Sequence, residues 1–242
     1  MCSFLFTTRS VVGISEDWNR LAKRRGPDHT KFLSHGGCFF AHNLLDISGF
    51  NRIQPLLEGD LVLLYNGEIY NQNYGCDTDS LIPLYLKHGP DFIKQVEGEY
   101  AIVLADFKKK EVFVYTDCFN TRPLFYSLEG GFSAASYYSS LEGIGCEDIK
   151  EVGPSSYIRY SISSGNLSFE NHFEFSLEET SCDYKESFQA LEKAVLDRVK
   201  HPSPVFLGLS SGYDSGVILQ VLLKFNIEFK AVTFRTGSED YN

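Results

Sequence analysis

The 242-residue sequence has no long apolar run, no excess of basic residues and no closely spaced pair of cysteines. A membrane-spanning helix needs about 20 consecutive apolar residues, and none are present. Its 22 lysines and arginines against 32 acidic residues give a net charge of -10, which argues against a nucleic-acid-binding surface. The N-terminal residues lack the basic and apolar segments of a secretory signal. These absences predict a cytoplasmic protein that binds neither nucleic acid nor membrane.

The cysteines lie far apart, at Cys2, Cys38, Cys76, Cys118, Cys146 and Cys182. No CxxC pair is present, so the sequence predicts neither a zinc site nor a dithiol redox site. In a reducing compartment we expect most of them to be free thiols buried as small apolar side chains. Cys2 differs from the others because it follows Met1, the only methionine in the chain.

Hydrophobic residues make up 43% of the chain and charged residues 22%, as is typical of a folded protein. Residues 1–180 contain many short apolar or alternating segments separated by turn residues. Two helices are predicted among them, over residues 16–23 behind a Ser15 cap and over residues 79–88 behind a Thr78 cap. The pattern predicts an α+β domain of layered antiparallel sheets covered by helices.

The pattern changes near residue 180. The apolar residues between Tyr184 and Val199 share one face of a helix. A short apolar strand over residues 204–209, a helix over residues 217–225 and a strand over residues 229–234 then follow. This order predicts the start of an α/β domain with a parallel sheet, so we expect domains at residues 1–180 and 181–242.

Cys2 is a candidate nucleophile. Removal of Met1 would leave Cys2 with a free α-amine, whose pKa of roughly 7.7–8.0 allows it to accept and return the thiol proton. The alternative is a cysteine packed into the first strand. Asn66 and Gly67 follow an apolar strand, where a side-chain amide and a backbone N–H form an oxyanion hole. The alternative there is a hairpin turn, which Asn-Gly pairs strongly favour.

Several further motifs accompany these residues in a fixed order. They are Arg24-Arg25-Gly26-Pro27-Asp28, Ala41-His42, Gln54-Pro55-Leu56, Tyr65-Asn66-Gly67-Glu68-Ile69-Tyr70-Asn71, Asp77-Thr78-Asp79, Glu97-Gly98-Glu99-Tyr100-Ala101 and residues 117–126 (DCFNTRPLFY). This set resembles the glutaminase domain of class II, Ntn-type glutamine amidotransferases, in particular the asparagine synthetase family. The resemblance implies an N-terminal four-layer αββα Ntn-hydrolase-like domain and extends over essentially the whole chain.

The resemblance also implies roles for individual residues. Cys2 is the implied nucleophile with its own α-amine as the base, and Asn66 and Gly67 form the implied oxyanion hole. Glu68 and Asp77 are the implied acidic pair that holds the α-ammonium of glutamine. The loop from Arg25 to Asp28 is implied to lie beside the nucleophile.

One position departs from the family pattern. Leu44 stands where the family usually has the arginine that pairs with the α-carboxylate of glutamine. A leucine cannot bind a carboxylate, so another cation must take that role or glutamine binds weakly. Arg52 is the nearest candidate in the sequence. The alternative is that Arg52 is a solvated surface charge.

The loop after the strand at residues 204–209 resembles the pyrophosphate-binding loop of N-type ATP pyrophosphatases, written SGGxDS. The matching residues are Ser210, Ser211, Gly212, Asp214 and Ser215. A loop before a helix presents N–H groups to phosphates, and Asp214 is a candidate Mg²⁺ ligand. Ser211 replaces the first glycine of the motif. The alternative is a plain strand-to-helix turn.

Together these features predict a glutamine-dependent amidotransferase that supplies ammonia for ATP-dependent amidation of aspartate. The synthetase portion is short, so the chain is a fragment, one product of a split gene or a free-standing protein. The expected partners are glutamine, ATP and aspartate if the synthetase half is completed, a chain carrying the rest of that half, and a second copy in a homodimer. ATP and Mg²⁺ serve the synthetase half alone. The alternatives are a non-catalytic or regulatory protein, an ATP-binding protein without glutaminase chemistry, and a split synthetase with another acceptor.

Overall fold

The computed structural model describes residues 2–10, 16–47, 49–72, 75–176, 178, 183–200 and 203–234. Two compact units divide the chain, residues 1–176 and 177–242. The predicted boundary between residues 180 and 181 lies outside the described residues, as do Cys182 and the predicted cap Ser15. None of the described helices is both long and apolar enough to cross a bilayer.

The first unit is built mainly from antiparallel strands. In chain order they are β1 (Ser3–Thr7), β2 (His29–His35), β3 (Cys38–Leu44), β4 (Leu56–Glu58), β5 (Leu61–Ile69), β6 (Gly98–Asp106), β7 (Glu111–Thr116), β8 (Phe125–Ser127), β9 (Ser133–Ala135), β10 (Lys150–Glu151), β11 (Ser156–Ser161) and β12 (Leu167–Asn171). One six-stranded sheet has the order β10-β8-β9-β1-β3-β2, and the other has the order β12-β11-β7-β6-β5-β4.

Helices accompany both sheets. They are α1 (Arg20–Arg25), α2 (Thr78–His88) and α3 (Tyr138–Gly143), with 3-10 helices at Glu16–Asn19 and Gly89–Gln95. The apolar side chains of α2 and its following 3-10 helix pack on β5, β6 and β7. Those of α3 pack with Trp18 on β1, β3 and β9. A third apolar core, which includes Phe6, Val62 and Val103, joins the two sheets. The unit is therefore layered helix, sheet, sheet, helix.

The second unit holds α4 (Tyr184–Arg198), β13 (Val205–Gly208), α5 (Tyr213–Lys224) and β14 (Phe229–Val232). The two strands are parallel, with Val205 opposite Phe229. Val195, Leu207, Val221 and Leu222 form its small core. The predicted strand-helix-strand order is confirmed, although α5 begins four residues before the predicted start at residue 217.

The structure excludes one alternative and corrects one local prediction. Asn66 and Gly67 do not form a hairpin turn, because β5 continues through them to Ile69 and pairs with β6. Asp77, not Thr78, caps α2, and its side chain accepts a hydrogen bond from the Thr78 N–H. The sequence also predicts hairpin turns at residues 107–110 (FKKK), 129–131 (EGG) and 163–166 (SSGN). The antiparallel pairing of the strands on either side of each turn confirms all three.

Candidate active site

Cys2 lies immediately before β1, partly buried against the end of β3. The backbone N–H of Leu45 donates a hydrogen bond to its Sγ at 3.4 Å, and the Leu45 carbonyl lies 3.8 Å from the same sulfur. Burial raises the pKa of the Cys2 thiol above its ordinary value. The nearby carboxylates of Glu68 and Asp77 raise it further. At neutral pH the thiol is therefore protonated, and it needs a base to become a nucleophile.

A buried polar network fixes the start of β1 beside this thiol. Ser3 Oγ donates to the Ala22 carbonyl at 2.8 Å and accepts from Asn43 Nδ2 at 3.1 Å. Asn43 also exchanges two hydrogen bonds with Asn19, at 2.8 and 3.1 Å, and accepts one from Thr30. Because every polar atom of the Asn43 side chain has a partner, the network can be buried at little cost.

The predicted loop from Arg25 to Asp28 lies beside the same segment. A Cβ on Gly26 would lie 2.1 Å from the Asn43 carbonyl oxygen, so only glycine permits this approach. The Asp28 N–H donates to the Leu44 carbonyl at 3.0 Å, and the Asp28 carboxylate accepts from the Asp46 N–H at 2.8 Å. The loop is thus joined to the backbone that contacts Cys2.

Asn66 and Gly67 lie in the C-terminal half of β5, with Gly67 opposite Tyr100 in β6. A Cβ on Gly67 would lie 2.1 Å from the Glu99 carbonyl oxygen, which explains the glycine without any turn. Asn66 is buried, and its Oδ1 has no hydrogen-bond partner among the described residues. Packing, and not a hydrogen bond to Oδ1, therefore holds the Asn66 side chain in place.

The residue before Asn66 is held at both of its backbone polar groups. Gln54 Oε1 accepts from the Tyr65 N–H at 2.7 Å, and Gln54 Nε2 donates to the Tyr65 carbonyl at 3.2 Å. His42 Nε2 lies 3.3 Å from the same carbonyl. Burial lowers the pKa of His42 to about 4, so its ring is neutral and can donate there. The peptide that precedes Asn66 is therefore oriented by two buried side chains.

The Asp77 carboxylate is hydrogen-bonded to two residues of β5. Its Oδ2 accepts from the Tyr65 hydroxyl at 2.6 Å and from the Ile69 N–H at 3.2 Å. The Glu68 side chain is exposed overall, yet desolvation of its carboxylate raises its pKa, and the charge of Asp77 adds to this. Arg122 acts on Glu68 in the opposite direction. Glu68, Asp77 and Arg122 thus form one electrostatic cluster beside Cys2.

A pocket of about 250 Å³ opens beside the thiol. It is lined by Cys2, Arg25, Asn66, Arg122, Pro123, Phe125, Ser136 and Tyr137. The lining combines the candidate nucleophile and the candidate amide donor with two guanidinium groups, and it includes no acidic side chain. An anionic group is therefore favoured inside this pocket.

Arg122 has no role assigned from the sequence, although its motif was identified there. The buried Asp117 carboxylate accepts from the N–H groups of Tyr100, Phe119 and Thr121 at 2.9 to 3.1 Å, which shapes the loop that leads to Arg122. The Arg122 guanidinium then donates to Glu99 Oε2 at 3.2 Å. The sequence signal for Arg122 is a single arginine placed before Pro123 and the apolar segment of residues 124–126.

Arg52 lies elsewhere. Its Nε is 2.6 Å from Asp79 Oδ1 in α2, and its Nη2 is 3.9 Å from Glu58 Oε1. It does not line the pocket beside Cys2. Leu44 is buried and offers no charge. The structure therefore places Arg52 in an ion pair with Asp79, and the cations at the pocket are other arginines.

The predicted phosphate loop lies in the second unit, between β13 and α5. The hydroxyl oxygens of Ser210 and Ser215 are 3.0 Å apart, and the Gly212 N–H donates to Ser210 Oγ at 3.1 Å. Asp214 lies in the first turn of α5 and is exposed. Among the described residues, no group of three His, Cys, Asp or Glu side chains could hold a metal ion. Asp214 would therefore hold Mg²⁺ only together with phosphate oxygens.

A thiol and an amide donor that share a pocket are components of nucleophilic acyl transfer. A family model described as the glutamine amidotransferase domain matches residues 1–175. The chain therefore belongs to the glutamine amidotransferase domain family, as its motifs predicted.

Two curated relatives and one solved structure add detail. The chain is 29% identical to asparagine synthetase [glutamine-hydrolyzing] 2 of Lotus japonicus, over 96% of this chain and 43% of the relative. It is 29% identical to asparagine synthetase B [glutamine-hydrolyzing] of Escherichia coli (strain K12), over 86% of this chain and 41% of the relative. The chain thus spans less than half the length of these relatives. The structure of an allosteric regulatory enzyme of purine biosynthesis shares the fold, with a TM-score of 0.52 and 14% identity over 95% of this chain and 58% of that one.

Proposed function

We propose that this chain is an Ntn-type glutaminase that hydrolyses glutamine at Cys2 and releases ammonia. The observation that carries the proposal is that Cys2, just before β1 of one sheet, and Asn66, in β5 of the other sheet, line the same pocket. The helix-sheet-sheet-helix layering of the first unit and its family membership support the proposal. The names of the curated relatives support glutamine as the substrate.

The chemistry begins once Met1 is removed. The α-amine of Cys2 takes the thiol proton, and the thiolate attacks the γ-carbonyl carbon of glutamine. The Asn66 side-chain N–H and the Gly67 backbone N–H stabilise the resulting oxyanion. The protonated amine returns its proton to the leaving nitrogen, so ammonia departs and a γ-glutamyl thioester remains. Water then adds to the thioester, the thiol regains a proton, and glutamate leaves.

Glu68 and Asp77 bind the α-ammonium of glutamine in this proposal. The Asp77 carboxylate is oriented by the Tyr65 hydroxyl and the Ile69 N–H. Glu68 shares its electrostatic environment. A fixed anionic pair beside the thiol would position the amide carbon for attack.

Glutamate release from glutamine tests the proposal. We expect release by the purified chain, with Met1 removal verified by intact mass, and at least a 100-fold loss in Cys2→Ala. Cys38→Ala, at a buried cysteine of β3 that does not line the pocket beside Cys2, is the matched control and should keep the activity. Release that persists in Cys2→Ala would exclude Cys2 as the nucleophile. No release from a chain that has lost Met1 would favour the non-catalytic or regulatory alternative.

We further propose that the ammonia is transferred to a carboxylate activated by ATP, with aspartate as the acceptor. The names of the curated relatives support this step. Because the chain spans less than half of those relatives, further residues or a partner chain would complete the synthetase half. A different carboxylate acceptor stays the alternative.

Ser210, Ser211, Gly212, Asp214 and Ser215 would bind the phosphates of ATP. The specific observation that supports this is the parallel strand-loop-helix-strand unit, with two serine hydroxyls at the start of a 12-residue helix. When ATP is bound, Mg²⁺ would neutralise the phosphate charge next to Asp214. We expect ATP with Mg²⁺ to raise the melting temperature and Asp214→Ala to abolish the rise, with Glu228→Ala as the control. No rise in the unmodified chain would contradict nucleotide binding.

A further inference from the structure

The glutamine α-carboxylate has no ligand at the position where the family pattern places one. Leu44 is buried and apolar. The Arg52 guanidinium is engaged by Asp79 at 2.6 Å and does not line the pocket beside Cys2. A carboxylate removed from water without a cationic or N–H partner is strongly disfavoured, so a different residue has to take this role.

Arg122 meets the geometric requirements. It lines the same pocket as Cys2 and Asn66, and its side chain is only 13% exposed. The Asp117-centred loop and a hydrogen bond to Glu99 hold it in place. A guanidinium carries five N–H donors in a planar fork, which allows it to bind Glu99 and a second carboxylate together.

The charges around Arg122 match a zwitterion. The α-ammonium and α-carboxylate of glutamine are bonded to the same carbon, so their protein partners must be neighbours. Arg122 interacts electrostatically with Glu68, the proposed partner of the ammonium. Arg25, whose Nη1 donates to the Tyr137 hydroxyl at 3.5 Å, adds a second positive charge to the pocket lining on the side of the carboxylate.

We propose that Arg122 binds the α-carboxylate of glutamine and takes the place of the cation that Leu44 cannot supply. This inference rests on the proposed function, because it assigns a specificity-determining residue to the glutamine site. It predicts that the chain distinguishes glutamine from L-glutaminamide, which has the same side chain and ammonium but an uncharged carboxamide in place of the carboxylate.

The test measures the binding of both compounds by calorimetric titration to Cys2→Ala protein, in which no turnover occurs. We expect glutamine to bind about 10- to 100-fold more tightly than L-glutaminamide, the range for a charge-assisted contact. Adding Arg122→Met should reduce this preference to less than about 3-fold. Arg122→Lys should retain part of it, since the charge remains without the planar fork. A residue that only supported the fold would weaken both ligands and leave their ratio unchanged.

Arg159→Met is the matched control, because Arg159 forms a surface ion pair with Glu111 and does not line the pocket beside Cys2. This variant should leave the preference intact. A preference that survives Arg122→Met, or one that disappears in Arg52→Met instead, would overturn the inference. So would a parent protein that binds neither compound or both equally. Failure of the proposed function is seen separately, as absence of glutamate release from the chain with an intact Cys2.

Discussion

The hydroxyl of Tyr65 donates a 2.6 Å hydrogen bond to the carboxylate of Asp77, and so joins β5 to the start of α2. The backbone of Tyr65 is held at the same time by Gln54, through both its N–H and its carbonyl. Asn66 is the next residue in the strand. Tyr65 therefore links the proposed oxyanion donor to the proposed ammonium ligand.

Tyr65→Phe should affect both stability and glutamine binding. It removes one hydrogen bond to a charged group, which costs about 1–3 kcal/mol of folding free energy. The Asp77 carboxylate also loses an orienting donor, so the glutamine KM should rise several-fold. Urea unfolding followed by the fluorescence of Trp18, the single tryptophan, and steady-state kinetics give the two readings.

Tyr115→Phe provides the comparison. The Tyr115 hydroxyl donates to the Pro90 carbonyl at 3.1 Å, away from Asp77. We expect a loss of about 1 kcal/mol in stability and no change in the glutamine KM. Equal KM values in the two variants would mean that Tyr65 has no influence on the glutamine site.

Glu68 should destabilise the fold at neutral pH while it supports substrate binding. Desolvation, followed by the Asp77 charge, raises its pKa above the ordinary value of 4.5. Below its unfolded pKa, Glu68 is protonated in both states and costs the fold nothing. As the pH rises through the raised folded pKa, the side chain must ionise in a desolvated site, and the folded state loses stability. Glu68→Gln should therefore be more stable than the parent at pH 7 and indistinguishable from it near pH 4.

The same substitution should weaken glutamine binding at pH 7, because the α-ammonium loses a charged partner. Denaturation at a series of pH values and glutamine titration measure the two effects. Glu142→Gln, at an exposed position of α3, should change neither property. A Glu68→Gln protein that is less stable at pH 7 would show that Glu68 is a net stabilising charge.

His42 should make the first unit sensitive to mild acid. Its folded pKa is about 4 because of burial, while an unfolded histidine titrates near 6.5. The stability that neutral His42 contributes is therefore present above pH 6.5 and lost as the pH falls from 6.5 to 4. The parent should lose on the order of 2–3 kcal/mol more than His42→Gln across this window. Parallel stability curves for the two proteins would contradict this expectation.

Gly67→Ala should be strongly disruptive. The added Cβ would lie 2.1 Å from the Glu99 carbonyl oxygen, so β5 and β6 would have to separate locally. We expect a loss of about 3 kcal/mol or more, together with loss of glutaminase activity. Gly208→Ala, in β13, adds a Cβ with nothing within 4 Å and should be tolerated. Thermal unfolding and glutamate release measure both variants, and a fully active Gly67→Ala protein would exclude the close strand contact.

The sequence by itself determined the family, the main strands and hairpins, and the order of elements in the second unit. Alternating and continuous apolar segments are local signals, and short motifs such as residues 65–71 report a backbone arrangement that few other sequences share. Cys2 and Asn66 could be identified as candidates for this reason. β2 lacks such a signal, because five of its seven residues are polar and none of the seven is buried.

Tertiary structure decided what local preference could not. Asn66-Gly67 favours a turn in isolation, but pairing with β6 through Ile69 and the close approach of Glu99 keep it in a strand. Arg122 reaches the pocket of Cys2 across 120 residues of sequence through a loop shaped by Asp117, while the nearer Arg52 is held by Asp79. Distance along the sequence could not show which of the two arginines lines the pocket. Ion pairing and pocket lining depend on contacts that form only when the chain folds.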